Sequence, residues 1–202
     1  MTRWTDMTGA PRGADYASRF AELEAKGEEV HGEARLCASL VSAGARVLDA
    51  GCGTGRVAQW LHRNGFECVG VDVDEAMLAE ARRAAPDIRW IQADLATLDL
   101  AEHGLAGAFD LVVCAGNVIP LVAAGTEPTV VATLADALRP GGLLVTGFGL
   151  DAAHLPLAEA PVTLADYDAW CADAGLSLRD RFATWDGDSY DGGGYAVSVH
   201  RR

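Results

Sequence analysis

The chain has 202 residues, half of them hydrophobic, and a formal net charge of −13. That length supports one α/β domain with a buried core. The acidic balance, with Lys26 as its single lysine, argues against a phosphate-backbone partner, and no apolar run approaches the roughly 18 residues of a membrane span.

The opening stretch, MTRWTDMTGAPRGADYASRF, lacks the continuous apolar segment of a secretion signal, so a cytoplasmic location is expected. Cys37, Cys52, Cys68, Cys114 and Cys171 form no CxxC pair. An odd, scattered set predicts free thiols, with neither a disulfide framework nor a metal site.

Residues 1–15 are rich in Thr, Gly and Arg and predict a flexible N-terminus, followed by one domain over 16–202. Within it, 16–43 reads as a helical lid of two short helices, broken near Gly27 and Gly32, and 44–202 as the core. Strands are predicted at 46–50, 67–72, 88–94, 109–115 and 143–149. Between them lie helices at 57–65, from an Asp74 N-cap to Pro86, and at 126–142. This alternation predicts βαβ units and a parallel sheet covered on both faces. After Gly149 a helix at 163–174 precedes 177–185, a turn DGDSYDGGG and 195–202, which together predict an antiparallel hairpin at the sheet edge.

The chemistry sits in VLDAGCGTGR, 47–56. Gly51, Gly53 and Gly55 follow the first strand, where an open α/β sheet binds ligands. A dinucleotide fingerprint needs a third small residue where this chain has Arg56, and a P-loop needs Gly-Lys-Ser/Thr. The loop therefore approaches something other than a pyrophosphate. Asp72 ends the second strand, 17 residues past Gly55, where a carboxylate can accept from a ribose diol. Asp94, past the third strand, suits either an exocyclic adenine amine or a turn cap.

Over 46–150 the chain resembles the class I S-adenosylmethionine (SAM)-dependent methyltransferases. The likeness rests on VLDAGCGTG, VGVDVDEAML (69–78), IQADL (91–95), FDLVVCAGNVI (109–119) and LRPGGLLV (138–145), in order. It implies a Rossmann-like, doubly wound, mostly parallel seven-stranded sheet with an antiparallel last strand and helices on both faces. It implies SAM as cofactor, without a metal. Gly51 and Gly53 would pass under the methionine and ribose, with Cys52 between them assigned no reactivity. Asp49 would orient the loop or meet the SAM amine through water, and Asp72 would hold the ribose. Val73 and Met77 would pack on the adenine, Met77 being equally suited to the core. Asp94 and Leu95 would frame the adenine edge, and Cys114, Ala115 and Asn117 would lie below the sulfonium.

Methyl transfer needs little more than in-line positioning, with a general base where the acceptor is a hydroxyl. His154 and Asp151 are the best-placed base candidates. Tyr16, Arg19, His31, Glu33 and Arg35 are lid candidates, Arg19 or Arg35 for a carboxylate, and Trp4 and Trp185 are candidates for the pocket edge. CAGNVIP departs from the Asp/Asn-Pro-Pro-Tyr/Phe of the amino-methylating DNA enzymes. With the acidic charge and the short segment 149–162, this predicts a small-molecule methyl acceptor, with no nucleic acid and no membrane as partner. Two other readings stay open on the residues: an NAD-type Rossmann oxidoreductase, and a SAM-binding protein without transfer activity.

Overall fold

The computed structural model describes residues 1–7 and 13–202. The five predicted core strands form as β1 (Arg46–Ala50), β2 (Glu67–Asp72), β3 (Arg89–Gln92), β4 (Phe109–Cys114) and β5 (Leu138–Gly149). Two more follow, β6 (Ser177–Phe182) and β7 (Tyr195–Arg201), in one sheet of order β3-β2-β1-β4-β5-β7-β6. β1 to β5 pair in parallel, and β7 runs against both β5 and β6. The terminal hairpin thus inserts its second strand next to β5 and leaves β6 at the edge.

Alternation along the strands sorts the core into two layers. Leu48, Ala50, Val112 and Cys114 face one side, with Val130 and Leu134 of α7 (Glu127–Ala137) and Tyr167 and Cys171 of α8 (Leu164–Asp173). Val47, Leu111 and Val113 face the other, with Ala34 and Cys37 of α3 (Gly32–Leu40) and Val57, Ala58 and Leu61 of α4 (Arg56–Arg63). Among the described residues, no helix is long and apolar enough to cross a membrane.

The lid region forms α2 (Ala14–Ala25) and α3, and α5 (Glu75–Ala84) starts on the predicted Asp74 cap, whose carboxylate accepts from Ala76 N at 3.0 Å. α8 begins with a reciprocal capping box between Thr163 and Asp166. α7 stops five residues before its expected end. Pro140 pushes Arg139 toward extended backbone, and Leu138 already pairs with Phe109. β3 and β6 are shorter than expected, and Val118–Leu121 form a short helix, α6, that the sequence pattern did not mark.

The start of the chain departs from expectation. Residues 8–12 lie outside the described residues, but Arg3–Asp6 form a helical turn, α1, capped by the buried Thr2. Arg3 docks it: its guanidinium donates to Pro120 O and Val122 O, at 3.1 and 3.3 Å, and to the Glu127 carboxylate at 2.7 Å. Composition reads this segment as solvent-loving. A long-range ion pair to a buried glutamate is invisible to composition.

The glycine loop is fixed from behind. Gly51, Gly53 and Gly55 all have left-handed φ, at 72°, 55° and 78°. The Trp90 ring lies against both Gly55 and Gly70, filling the space a Cβ at either would need, and its indole N–H donates to Ala85 O at 2.9 Å. Gly55→Ala therefore meets both the ring and left-handed strain. By urea denaturation we expect it to cost about 1–3 kcal/mol, the usual scale of overpacking. Trp90→Leu should recover part of that loss in the double variant; equal losses in both backgrounds would put the whole strain in the backbone.

Candidate active site

The carboxyl ends of β1, β2 and β4 open onto a cavity. Its wall brings together Asp49, Gly51, Cys52, Gly53, Asp72, Val73, Met77, Asp94 and Leu95, all read from the sequence as site residues. Gly51 touches Val118 so closely that a Cβ there would overlap it. The loop and the β4–α6 connection thus share one wall.

Two acids order the loop. Asp49, next to the last residue of β1, is nearly fully buried, and its Oδ2 accepts from Ala58 N in the first turn of α4, at 3.0 Å. A carboxylate is favoured at that helix end, yet burial dominates and pushes its pKa up to about 7; the Ala58 N–H pulls the other way. Asp72 Oδ2 accepts from Gly53 N at 2.7 Å, and its Oδ1 from Asp74 N at 2.8 Å. Burial raises this pKa too. The Val73 N–H also bonds to this carboxylate, which lies on the cavity wall.

On the opposite rim, Asp94 caps a turn, its Oδ1 accepting from Ala96 N at 2.9 Å. The turn-cap role is thus present along with its place on the cavity wall. Met77 also holds both roles weighed for it. It is buried, lines the cavity, and its sulfur accepts from Gly13 N at 3.1 Å.

Arg56, the residue that breaks the dinucleotide pattern, has a positive use. Its guanidinium forks onto the Glu33 carboxylate at 2.9 and 2.5 Å, bonds to Val30 O, and stacks 4.6 Å over the Phe20 ring. It thereby ties α2 and α3 to the glycine loop. Tyr16 of α2 lines the cavity beside it, its phenol pKa raised by burial. Arg19 is exposed and off the cavity wall. Arg35 is exposed as well, paired with Glu29 and Asp186, and His31 lies 3.3 Å from Glu24.

Two expected contacts are corrected. Cys114 is 1% exposed and belongs to the layer under α7 and α8, because alternation points it away from the cavity. Asn117 is also off the cavity wall; its side chain donates to His154 O at 3.0 Å and accepts from Gly149 N at 2.8 Å. Ala115 and Gly116, between them, do line the cavity. His154 lies outside the wall, its Nδ1 2.7 Å from Asp151 Oδ1. Trp4 lines the cavity, whereas Trp185 donates instead to the Tyr195 hydroxyl at 3.0 Å.

Thr2, Thr54, Arg56, Val57, Ala93, Val118, Leu121 and Val122 complete the wall unforeseen. Thr54, Ala93 and Val118 lie inside the quoted motifs, which carried a signal that could have found them. Among the described residues no group of three or more His, Cys, Asp or Glu is placed to hold a metal ion, and all five cysteines are free.

The chain matches a family model described as a methyltransferase domain over residues 47–142. It is 38% identical over 100 residues to the malonyl-[acyl-carrier protein] O-methyltransferase of Enterobacter lignolyticus, covering 50% of this chain and 37% of that one. The chain thus spans little more than a third of that relative. It is 31% identical to the demethylmenaquinone methyltransferase of Beutenbergia cavernae, over 78% of this chain and 73% of that one. Among solved structures, the TehB-like SAM-dependent methyltransferase of Corynebacterium glutamicum superposes with a TM-score of 0.81 at 32% identity, over 92% of this chain and 95% of that one. The GxGxG loop with its Arg56 is thus no degenerate dinucleotide site: the chain belongs to the class I S-adenosylmethionine-dependent methyltransferases.

Proposed function

We propose that the methyl acceptor is a small molecule, and that the methionine end of SAM lies at the glycine loop with its adenosine between Asp72 and Asp94. The residues present fit the cofactor. Left-handed backbone at Gly51, Gly53 and Gly55 leaves those three positions of the loop bare of side chains, and the Asp72 carboxylate lies on the same cavity wall. Val73, Met77 and Leu95 supply apolar surface between the acids.

When bound, SAM supplies a sulfonium-activated methyl group. The protein's work is then positioning. Asp72 would hold the ribose hydroxyls, and Asp49 would meet the ammonium of the methionine end. Val73 and Met77 pack on the adenine face, and Asp94 accepts at its edge. Ala115 and Gly116 form the floor beneath the reacting carbon.

One observation carries the small-molecule reading. The cavity wall includes residues from the start of the chain, Thr2, Trp4 and Tyr16. The Arg56–Glu33 fork holds α3 beside the loop. A cavity walled in part by these N-terminal residues suits a small acceptor better than a polymer, and the charge of −13 opposes a polyanion. Labelled SAM incubated with separate small-molecule and macromolecular extracts tests this. Label is expected in the small-molecule fraction; label in protein or nucleic acid alone would overturn the reading.

Asp72→Ala should weaken SAM binding by about 1–3 kcal/mol, the scale of lost hydrogen bonds to a buried charged group. Calorimetry checks this, and unchanged affinity would remove Asp72 from the ribose.

The Asp49 carboxyl gives a pH prediction. Its folded pKa of about 7 lies above its ordinary 3.8, so the folded protein binds the extra proton. The stability from this group is fully present below about pH 4 and is lost as pH rises through 7. Asp49→Asn should flatten that part of the unfolding profile between pH 4 and 7. With SAM, whose ammonium favours the ionised acid, wild-type binding should release protons at pH 6 and the variant should release fewer. Buffer-dependent calorimetry reads the difference.

A further inference from the structure

Next to the cofactor cavity lies a second cluster that the methyl-donor site does not use. It is built where the loop after β5 meets the start of β7. His154 Nδ1 is 2.7 Å from Asp151 Oδ1, and the same oxygen accepts from Ala153 N and His154 N at 3.0 and 3.1 Å. An acceptor carboxylate at Nδ1 makes that nitrogen the donor, so the lone pair of the neutral ring sits on Nε2. Both side chains are about half exposed, at 47% and 50%.

The His154 backbone is pinned. Asn117 donates its side-chain amide to His154 O at 3.0 Å while its amide oxygen accepts from Gly149 N at 2.8 Å. Asn117 is the only non-glycine at positive φ among the described residues, at 67°. Such a conformation is sustained by its surroundings and clusters at working sites. The residue before it, Gly116, lines the cofactor cavity. Gly149 and Gly194 are glycines against this same unit: a Cβ at Gly149 would meet the His154 backbone, and one at Gly194 the Asp151 carboxylate and the His154 ring. Leu150 N closes the seam onto Gly194 O at 2.7 Å.

Aromatic surface adjoins the pair. The Tyr195 ring is 6.3 Å from the His154 ring, and its hydroxyl accepts from the Trp185 indole at 3.0 Å. Both aromatic rings pack where Gly147 of β5 leaves space for them. Burial pushes the Tyr195 phenol up to about 12, so it stays neutral.

We infer that His154, oriented by Asp151, is the general base of the transfer and that the acceptor is an aromatic hydroxyl lying against Tyr195 and Trp185. This rests on the small-molecule reading above. The acceptor oxygen forms a bond to the SAM methyl carbon as the carbon–sulfur bond breaks. Its electron pair goes to sulfur, giving S-adenosylhomocysteine. The hydroxyl proton goes to His154 Nε2, and the Asp151 carboxylate stabilises the imidazolium. The half-exposed ring then passes the proton to water. A carboxylate acceptor would need no base at this position.

The test uses labelled SAM with phenol, catechol and 4-nitrophenol as probe acceptors, alongside a small-molecule extract. The wild type should methylate the phenols. His154→Gln should lower kcat by about 100- to 1,000-fold, within the usual range for a lost general base, at unchanged SAM affinity by calorimetry. The loss should shrink with 4-nitrophenol, which ionises without help. Asp151→Asn should show the same trend with a smaller loss. Equal rates for His154→Gln and wild type, or a loss that ignores acceptor acidity, would overturn the assignment. Label in extract molecules but in none of the phenols would overturn it and leave the small-molecule reading standing. Label in macromolecules alone would overturn both.

Discussion

Everything at this site depends on a backbone that only glycine sustains, clamped by two buried acids. Between Gly51 and Gly55 the chain turns through three left-handed residues. Asp72 reaches across from β2 to take the Gly53 N–H, and Asp49 takes the Ala58 N–H at the start of α4. Burying carboxylates is unfavourable unless hydrogen bonds compensate. Here the compensation comes from backbone N–H groups of the loop and of α4, and both acids lie on the cavity wall.

The clamp reaches outward through Arg56. A guanidinium at the first residue of α4 occupies the place where a dinucleotide fold would press its helix against a strand. In this chain it grips Glu33, Val30 O and the Phe20 ring instead. Loop geometry and the docking of α2 and α3 are thereby mechanically linked. Arg3 does similar work on the other side of the mouth, satisfying the buried Glu127 while fixing α1 over the cavity. These helices are therefore held by ion pairs to partly buried partners, where screening by water is weaker than on an open surface.

Legibility varied with the range of the interaction. The parallel strands, the Asp74 cap and the cavity position of Asp72 could be read locally, from alternation, cap chemistry and register with the glycine loop. Cys114 and Asn117 were misplaced because a motif records order along the chain, not the face on which each side chain emerges. Strand parity turns Cys114 into the core, and a left-handed backbone turns Asn117 toward His154. The docked α1 left no signal, since its anchor lies 124 residues away.

By itself, the sequence determined the sheet's parallel character, the glycine loop and the acids that follow it, because periodicity, φ preference and spacing act within one βα unit. The tertiary structure alone decided which residues share the cavity and what lies beside it. Thr2, Trp4, Val118 and Leu121 meet the glycine loop only after α1 and α6 dock, and His154 is oriented only once β4, β5 and β7 lie side by side. Those contacts join segments far apart in the chain, so no local pattern encodes them.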